Sequence, residues 1–133
     1  MKTIIIDTSA LVAIALEEPE CDRFIDALEA GGDLFISPIN YVELGTVLVG
    51  RDHFPSRHVL NEWLGAYRIQ IAREHAIDAA ALDAYLSYGK GRHPARLNLG
   101  DCFAYALAKA LDAPLLYKGD DFPQTDIRSA LDA

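Results

Sequence analysis

The segment Lys2-Thr3-Ile4-Ile5-Ile6-Asp7 constrains the fold more than any other stretch of the chain. Its isoleucines follow one another without a polar position between them. The strand they form must therefore be buried on both faces, as a central parallel strand is and a half-exposed antiparallel one is not. Such a strand needs helices above and below it. Asp7 ends the run, and Thr8 and Ser9 open an alanine- and leucine-rich helix, expected at about residues 9–16 and closed by Pro19. A carboxylate thus stands where a buried strand meets a helix. Its meaning depends on whether other acids join it.

The order strand-then-helix recurs along the chain. In ECDRFIDALEAGG, Cys21, Phe24, Ile25 and Leu28 fall at helical spacing before Gly31-Gly32. DLFIS reads as a second strand, and SPINYVELGTVLVG restarts a helix with Ser37 as N-cap and Pro38 at the first helical position. PSRHVLNEWLGAY predicts a helix, RIQIA a third strand, and AIDAAALDAYLSYGKG and NLGDCFAYALAKALDA two further helices. LLY after Pro114 is the fourth strand, followed by a KGDDF loop and an edge strand expected around Asp126-Ile127. No hairpin signal joins any two strands. The expected fold is therefore α/β, with a central parallel sheet covered by helices on both faces. Residues 1–133 are read as one domain with one core, without repeat or linker.

Apolar residues make up 51% of the chain and charged ones 24%, a balance that excludes a disordered protein. No apolar run reaches the roughly 18 residues of a spanning helix, and Met1-Lys2 leads into a strand, so the expected location is the cytoplasm. Cys21 and Cys102 lack metal or disulfide spacing and read as reduced, packed thiols, while His53, His58, His75 and His93 have no ligand spacing. A net charge of -8 opposes nucleic-acid binding unless several acids converge on a cation that reverses the local sign.

Such convergence follows from topology. Ligands of a parallel sheet gather at the carboxyl ends of its strands. Asp7 leaves the first strand there, Asp120 and Asp121 leave the fourth, and Glu43 lies in the second turn of the helix after DLFIS. Asp101 opens a helix that runs antiparallel to the strands and so begins at the same edge. Each acid also has a purely structural reading. Asp7 caps a helix, Asp101 stands at capping-box distance from Asn98, and Asp120 and Asp121 are turn residues after Gly119. Four such accidents on one rim are a poorer account than one site. Two carboxylates about 4 Å apart repel by roughly 4 kcal/mol at an effective dielectric near 20, so the cluster calls for a cation. Oxygen donors without Cys or His select Mg²⁺ or Mn²⁺.

IIIDTSALVAI, SPINYVELGTVL, LNLGDCFAYALAKA and PLLYKGDDFPQTDI together resemble the successive acidic motifs of the PIN-domain ribonucleases, and the chain is most similar to VapC-type toxins of VapBC toxin-antitoxin systems. The resemblance spans nearly the whole chain. It implies a three-layer α/β/α sandwich around a parallel sheet and a Mg²⁺- or Mn²⁺-dependent endoribonuclease that leaves a 5′-phosphate and a 3′-hydroxyl. It also implies a homodimer and a VapB-type antitoxin that blocks the site. Carried onto this sequence, it makes Asp7, Asp101 and Asp121 metal ligands, with Asp120 as the alternative to Asp121 and Glu43 as a further catalytic acid. Thr8 or Ser9 and Asn40 become hydrogen-bonding helpers.

The stretch YGKGRHPARLN before Asp101 is read either as a solvated loop or as an RNA contact in which Lys90, Arg92 and Arg96 hold phosphates and Tyr88 stacks on a base. Two other functions remain open at this level. A haloacid-dehalogenase-like phosphatase also begins with an aspartate after an apolar strand, although Ser9 stands where its second aspartate belongs. A non-catalytic module that binds a metal or a basic peptide is the other.

Overall fold

The computed structural model describes residues 2–132. Four parallel strands, β1 (Thr3–Ile6), β2 (Asp33–Ile36), β3 (Ile69–Ile71) and β4 (Leu115–Leu116), lie in the order β3-β2-β1-β4. Between β1 and β2 run α1 (Thr8–Ala15) and α2 (Cys21–Ala30), and between β2 and β3 run α3 (Pro38–Leu48) and α4 (Arg57–Ala66). The helices α5 (Asp78–Tyr88) and α6 (Leu99–Ala110) precede β4.

Handedness decides which face each helix covers. The steps β1 to β2 to β3 move one way across the sheet, so right-handed crossovers place α1 to α4 on one face. The return from β3 to β4 reverses direction and sends α5 and α6 to the other face. The core divides accordingly. Ile4, Ile6, Leu34, Ile36 and Leu116 pack with Leu11, Phe24, Leu44 and Leu60, whereas Ile5 and Leu115 pack with Ala81, Ala84, Cys102 and Leu107. The alternation within the isoleucine run thus builds both cores at once, because successive side chains of a strand point to opposite faces.

Local signals set most boundaries. Ser37 accepts the Asn40 amide at 3.0 Å and Pro38 occupies the first turn of α3, as its sequence requires. The first helix runs Thr8–Ala15, within a residue of the span expected, and Glu17 just beyond it takes a left-handed φ of 53°. Phe54 and Tyr67 meet Trp63 edge to face, each at 5.4 Å, so this aromatic cluster is packing. Cys102 is buried and Cys21 partly so, both as free thiols.

The edge strand expected at Asp126-Ile127 does not form. Tyr105 and Lys109 of α6 draw the Asp126 side chain towards the helix, Lys109 at 3.0 Å, and Thr125 Oγ1 accepts the Ile127 amide at 3.2 Å. Pairing begins only beyond that turn. The Leu115 amide donates to the Arg128 carbonyl and the Ala130 amide to the Leu115 carbonyl, both at 2.9 Å, in a single parallel bridge. No helix among the described residues is long and apolar enough to cross a membrane.

Ile5 is fully buried and pairs with both β2 and β4. Ile5→Ala should lower unfolding stability in urea by about 2–5 kcal/mol. An unchanged midpoint and slope would contradict the central position of this strand.

Candidate active site

β1 lies between β2 and β4, at the point where the chain reverses its direction across the sheet. Asp7 follows β1 directly and is 2% exposed. Its Oδ2 accepts from the Ser9 amide at 3.0 Å and from Ser9 Oγ at 2.6 Å, and Ser9 Oγ in turn accepts the Lys118 amide at 2.9 Å. The cap on α1 is therefore real, yet it uses only one carboxylate oxygen. Oδ1 is buried without a hydrogen-bond partner. Burial pushes Asp7 up to about 6, against the lowering effect of the Ser9 bonds, and the charge of Glu43 adds to the rise.

A buried polar strut holds the neighbouring elements. Asn40 Nδ2 donates to Thr8 Oγ1 and to the Gly100 carbonyl, each at 3.1 Å, while its Oδ1 accepts from Ser37 Oγ. Thr8 Oγ1 donates to the Asn40 carbonyl at 3.4 Å. These bonds tie the starts of α1, α3 and α6 together, and every buried member has a partner. Thr8 and Asn40 thus bond to each other, and of the helpers expected from sequence only Ser9 reaches a carboxylate.

Glu43 lies one turn after Asn40 and is half-buried, with its carboxylate directly over Gly100. Asp101 begins α6 in a full capping box. Its amide donates to Asn98 Oδ1 at 2.8 Å, and its Oδ2 accepts the Asn98 amide at 3.0 Å. Burial is the main cause that raises Asp101 to about 7, followed by the charge of Asp7, and Glu43 and Asp121 add to it against the Asn98 bond. Asp121 is exposed at the start of a short 3-10 turn, Phe122–Gln124, and the equally exposed Asp120 accepts at its carbonyl from Gln124. Asp101 is thus within electrostatic reach of Asp7, Glu43 and Asp121, and Asp7 within reach of Glu43. Among the described residues, however, no three acidic, histidine or cysteine side chains stand in a geometry that would hold a metal ion.

The basic stretch leads straight into this site. Leu97 bonds back to Tyr88 and Lys90, at 3.0 Å each, which closes residues 89–97 into a loop whose end is the Asn98 cap. Gly91 and Arg96 adopt left-handed φ of 87° and 57° in the bends. Lys90, Arg92 and Arg96 are exposed, and none forms an ion pair among the described residues. Tyr88, expected as a stacking platform, is instead packed edge-on against His93 and Tyr105, at 5.0 and 5.5 Å.

Sequence reasoning passed over Gly100, Lys118 and the second role of Ser37. Gly100 left a signal, since a glycine in the first turn of a helix forgoes up to about 1 kcal/mol of helix propensity relative to alanine. The Lys118 contribution comes from a backbone amide and leaves none.

The family profile described as PIN domain matches residues 4–128. Ribonuclease VapC30 of Mycobacterium tuberculosis is 46% identical over 125 residues, covering 93% of this chain and 95% of that relative. Ribonuclease VapC42 of the same organism is 44% identical over 129 residues, covering 96% and 98%. Among solved structures the fold is similar to M. tuberculosis VapC20, described as a sarcin-ricin loop cleaving toxin, with a TM-score of 0.71 at 16% identity over 93% of this chain and 95% of that one. At that identity the likeness concerns the fold.

The raised carboxyls have a direct consequence for stability. Folded Asp7 and Asp101 keep their protons to about 6 and about 7, above the ordinary 3.8, so the folded state binds more protons than the unfolded one in this interval. The resulting stabilisation is complete below the unfolded value and is lost as pH rises through the folded values. In EDTA the melting temperature should fall by several degrees between about pH 4 and about pH 8, and Asp7→Asn should flatten that decline. A melting temperature that climbs across the interval would contradict the burial of these acids.

Proposed function

The chain belongs to the PIN-domain family, among the VapC ribonucleases, and from that membership we propose that it is the toxin of a VapBC pair, an endoribonuclease that hydrolyses RNA phosphodiester bonds. The observation that supports this most is the buried, unpartnered Oδ1 of Asp7, whose carboxylate interacts with Glu43 and Asp101. A buried carboxylate oxygen with no donor is stable only with a proton or a cation. An all-oxygen set of this kind fits Mg²⁺ or Mn²⁺.

In this reading Asp7, Asp101 and Asp121 hold the ion, and Glu43 supplies a further acid. A bound divalent ion would supply positive charge to the phosphate and lower the pKa of an attacking water. The protein's own part is placement. Ser9, itself held by the Lys118 amide, fixes the plane of the Asp7 carboxylate, and Asn98 does the same for Asp101. The Asn40 strut keeps α3 and α6 in register so that Glu43 and Asp101 face the same rim. Lys90, Arg92 and Arg96 hold the RNA backbone beside them. The phosphatase alternative gives way to the family membership.

The same reading assigns two protein partners, a VapB-type antitoxin and a second copy of the chain. Leu82, Tyr85 and Leu86 expose an apolar stripe at i, i+3 and i+4 of α5 that is available to either. The cytoplasm, where RNA is abundant, is the site of action.

Asp7→Asn and Asp101→Asn should each abolish RNA cleavage while leaving the far-ultraviolet circular dichroism unchanged. Both should also lose the Mn²⁺-dependent stabilisation of the wild type, which amounts to about 2.7 kcal/mol at a hundred times the dissociation constant. Wild-type turnover in either variant would remove that residue from the site. Replacing Lys90, Arg92 and Arg96 together by alanine should weaken RNA binding and reduce the slope of log affinity against log salt by about 2, taking about 0.7 per lost single-strand phosphate contact. An unchanged slope would return the stretch to a solvated loop.

A further inference from the structure

We propose that Gly100 is a positioning residue of the acid site: its bare Cα is the seat on which the Glu43 carboxylate rests, and any side chain there would displace Glu43 without disturbing the fold. The proposal rests on the metal-site reading above and adds a residue that touches neither metal nor RNA.

α3 and α6 meet at Gly100. Asn40 and Glu43 lie one turn apart on α3 and both meet Gly100, Asn40 by donating to its carbonyl at 3.1 Å and Glu43 through its carboxylate. A Cβ on Gly100 would fall 2.5 Å from Glu43 Oε1 and 2.7 Å from Cδ, and closer still to Oε2. The three nearest atoms all belong to the end of one flexible side chain. Gly50 and Gly89 differ in kind, since a Cβ on either would strike a backbone oxygen, of Thr46 or Tyr85 respectively. Those glycines serve the chain's path. Gly100 has no left-handed φ and sits in a regular first turn, where alanine is the better helix former. What the absent side chain provides is room for one carboxylate. The seat also suits an anion, because the amino end of α6 carries partial positive charge. No hydrogen bond or ion pair to the Glu43 carboxylate is present among the described residues, so packing alone defines its place.

The test is a double-mutant cycle of Gly100→Ala and Glu43→Ala, read by Mn²⁺ titration calorimetry and by melting in EDTA. Gly100→Ala should melt no lower than wild type in EDTA and bind Mn²⁺ about tenfold or more weakly, as loss of a ligand's positioning contact typically does. Glu43→Ala should weaken Mn²⁺ to a similar degree, and the double variant should be no weaker than Glu43→Ala alone. Wild-type Mn²⁺ affinity in Gly100→Ala, with Glu43→Ala impaired, would overturn the proposal and leave the metal site standing. Additive losses would also overturn it, because the methyl would then act by a route other than Glu43. So would a lowered melting temperature in EDTA, which would mean that the methyl meets something unable to move. If Glu43→Ala binds Mn²⁺ as wild type does, Glu43 leaves the site and the proposal falls with it. If the wild type binds no Mn²⁺ at all, the metal-site reading itself has failed.

Discussion

Burying Asp7 is the constraint around which the other features are arranged. A carboxylate at 2% exposure with one oxygen unpartnered opposes folding in its charged form, and among the described residues it forms no ion pair. The opposition is tolerable because the surrounding elements are closely bonded to one another. β1 is held between two strands, Ser9, itself held by the Lys118 amide, holds the other oxygen, and the Asn40 strut ties α1, α3 and α6 together. A softer frame would let water in and the acids spread. Preorganisation of this kind has a stability cost that the two flanking cores offset, since both are built from the strand that carries Asp7.

The distribution of charge resolves the conflict between a net -8 and a nucleic-acid substrate. Lys118 is held by Glu18 and Glu20, Lys109 by Asp126, and Arg128 by Asp112. These cations are consumed within the protein. Lys90, Arg92 and Arg96, in the loop that ends at the Asn98 cap, form no ion pair among the described residues, and neither do Arg51, Arg57, Arg68 and Arg73 elsewhere. Net charge is thus a poor guide here, because a divalent ion at Asp7, Glu43, Asp101 and Asp121 would invert their local effect, and three cations without ion pairs among the described residues lie in the adjoining loop.

What could be read from sequence follows the range of the interactions involved. The both-face burial of Ile4 to Ile6, the Ser37 and Asn98 caps and the convergence of acids depend on neighbours a few residues apart or on the general geometry of parallel sheets, and all are visible in the chain. The misplaced edge strand, the packed Tyr88 and the seat at Gly100 depend on contacts between elements distant in sequence. Asp126 is drawn from its expected strand by Tyr105, which is 21 positions away, and Glu43 meets Gly100 across the α3 and α6 crossing. No local pattern carries such information except the cost of a glycine in a helix, which marks that something is gained without saying what.

Asp101 shows how a structural role and a chemical role occupy one side chain without competing. The capping box takes Oδ2 through the Asn98 amide, much as the cap on α1 takes Oδ2 of Asp7 through Ser9. In both residues one oxygen is committed to the protein, and the other is left with no hydrogen bond among the described residues. A helix cap is therefore also an orienting bond, fixing the carboxylate plane as an outer-shell hydrogen bond fixes a metal ligand. This explains why the structural reading of each aspartate, taken alone, accounts for its position in the sequence. Capping does not weigh against function when it uses half of the group. Decisive instead is the fate of the second oxygen, and at Asp7 it is buried and unpaired, in a carboxylate that feels the charge of Glu43 and acts on that of Asp101.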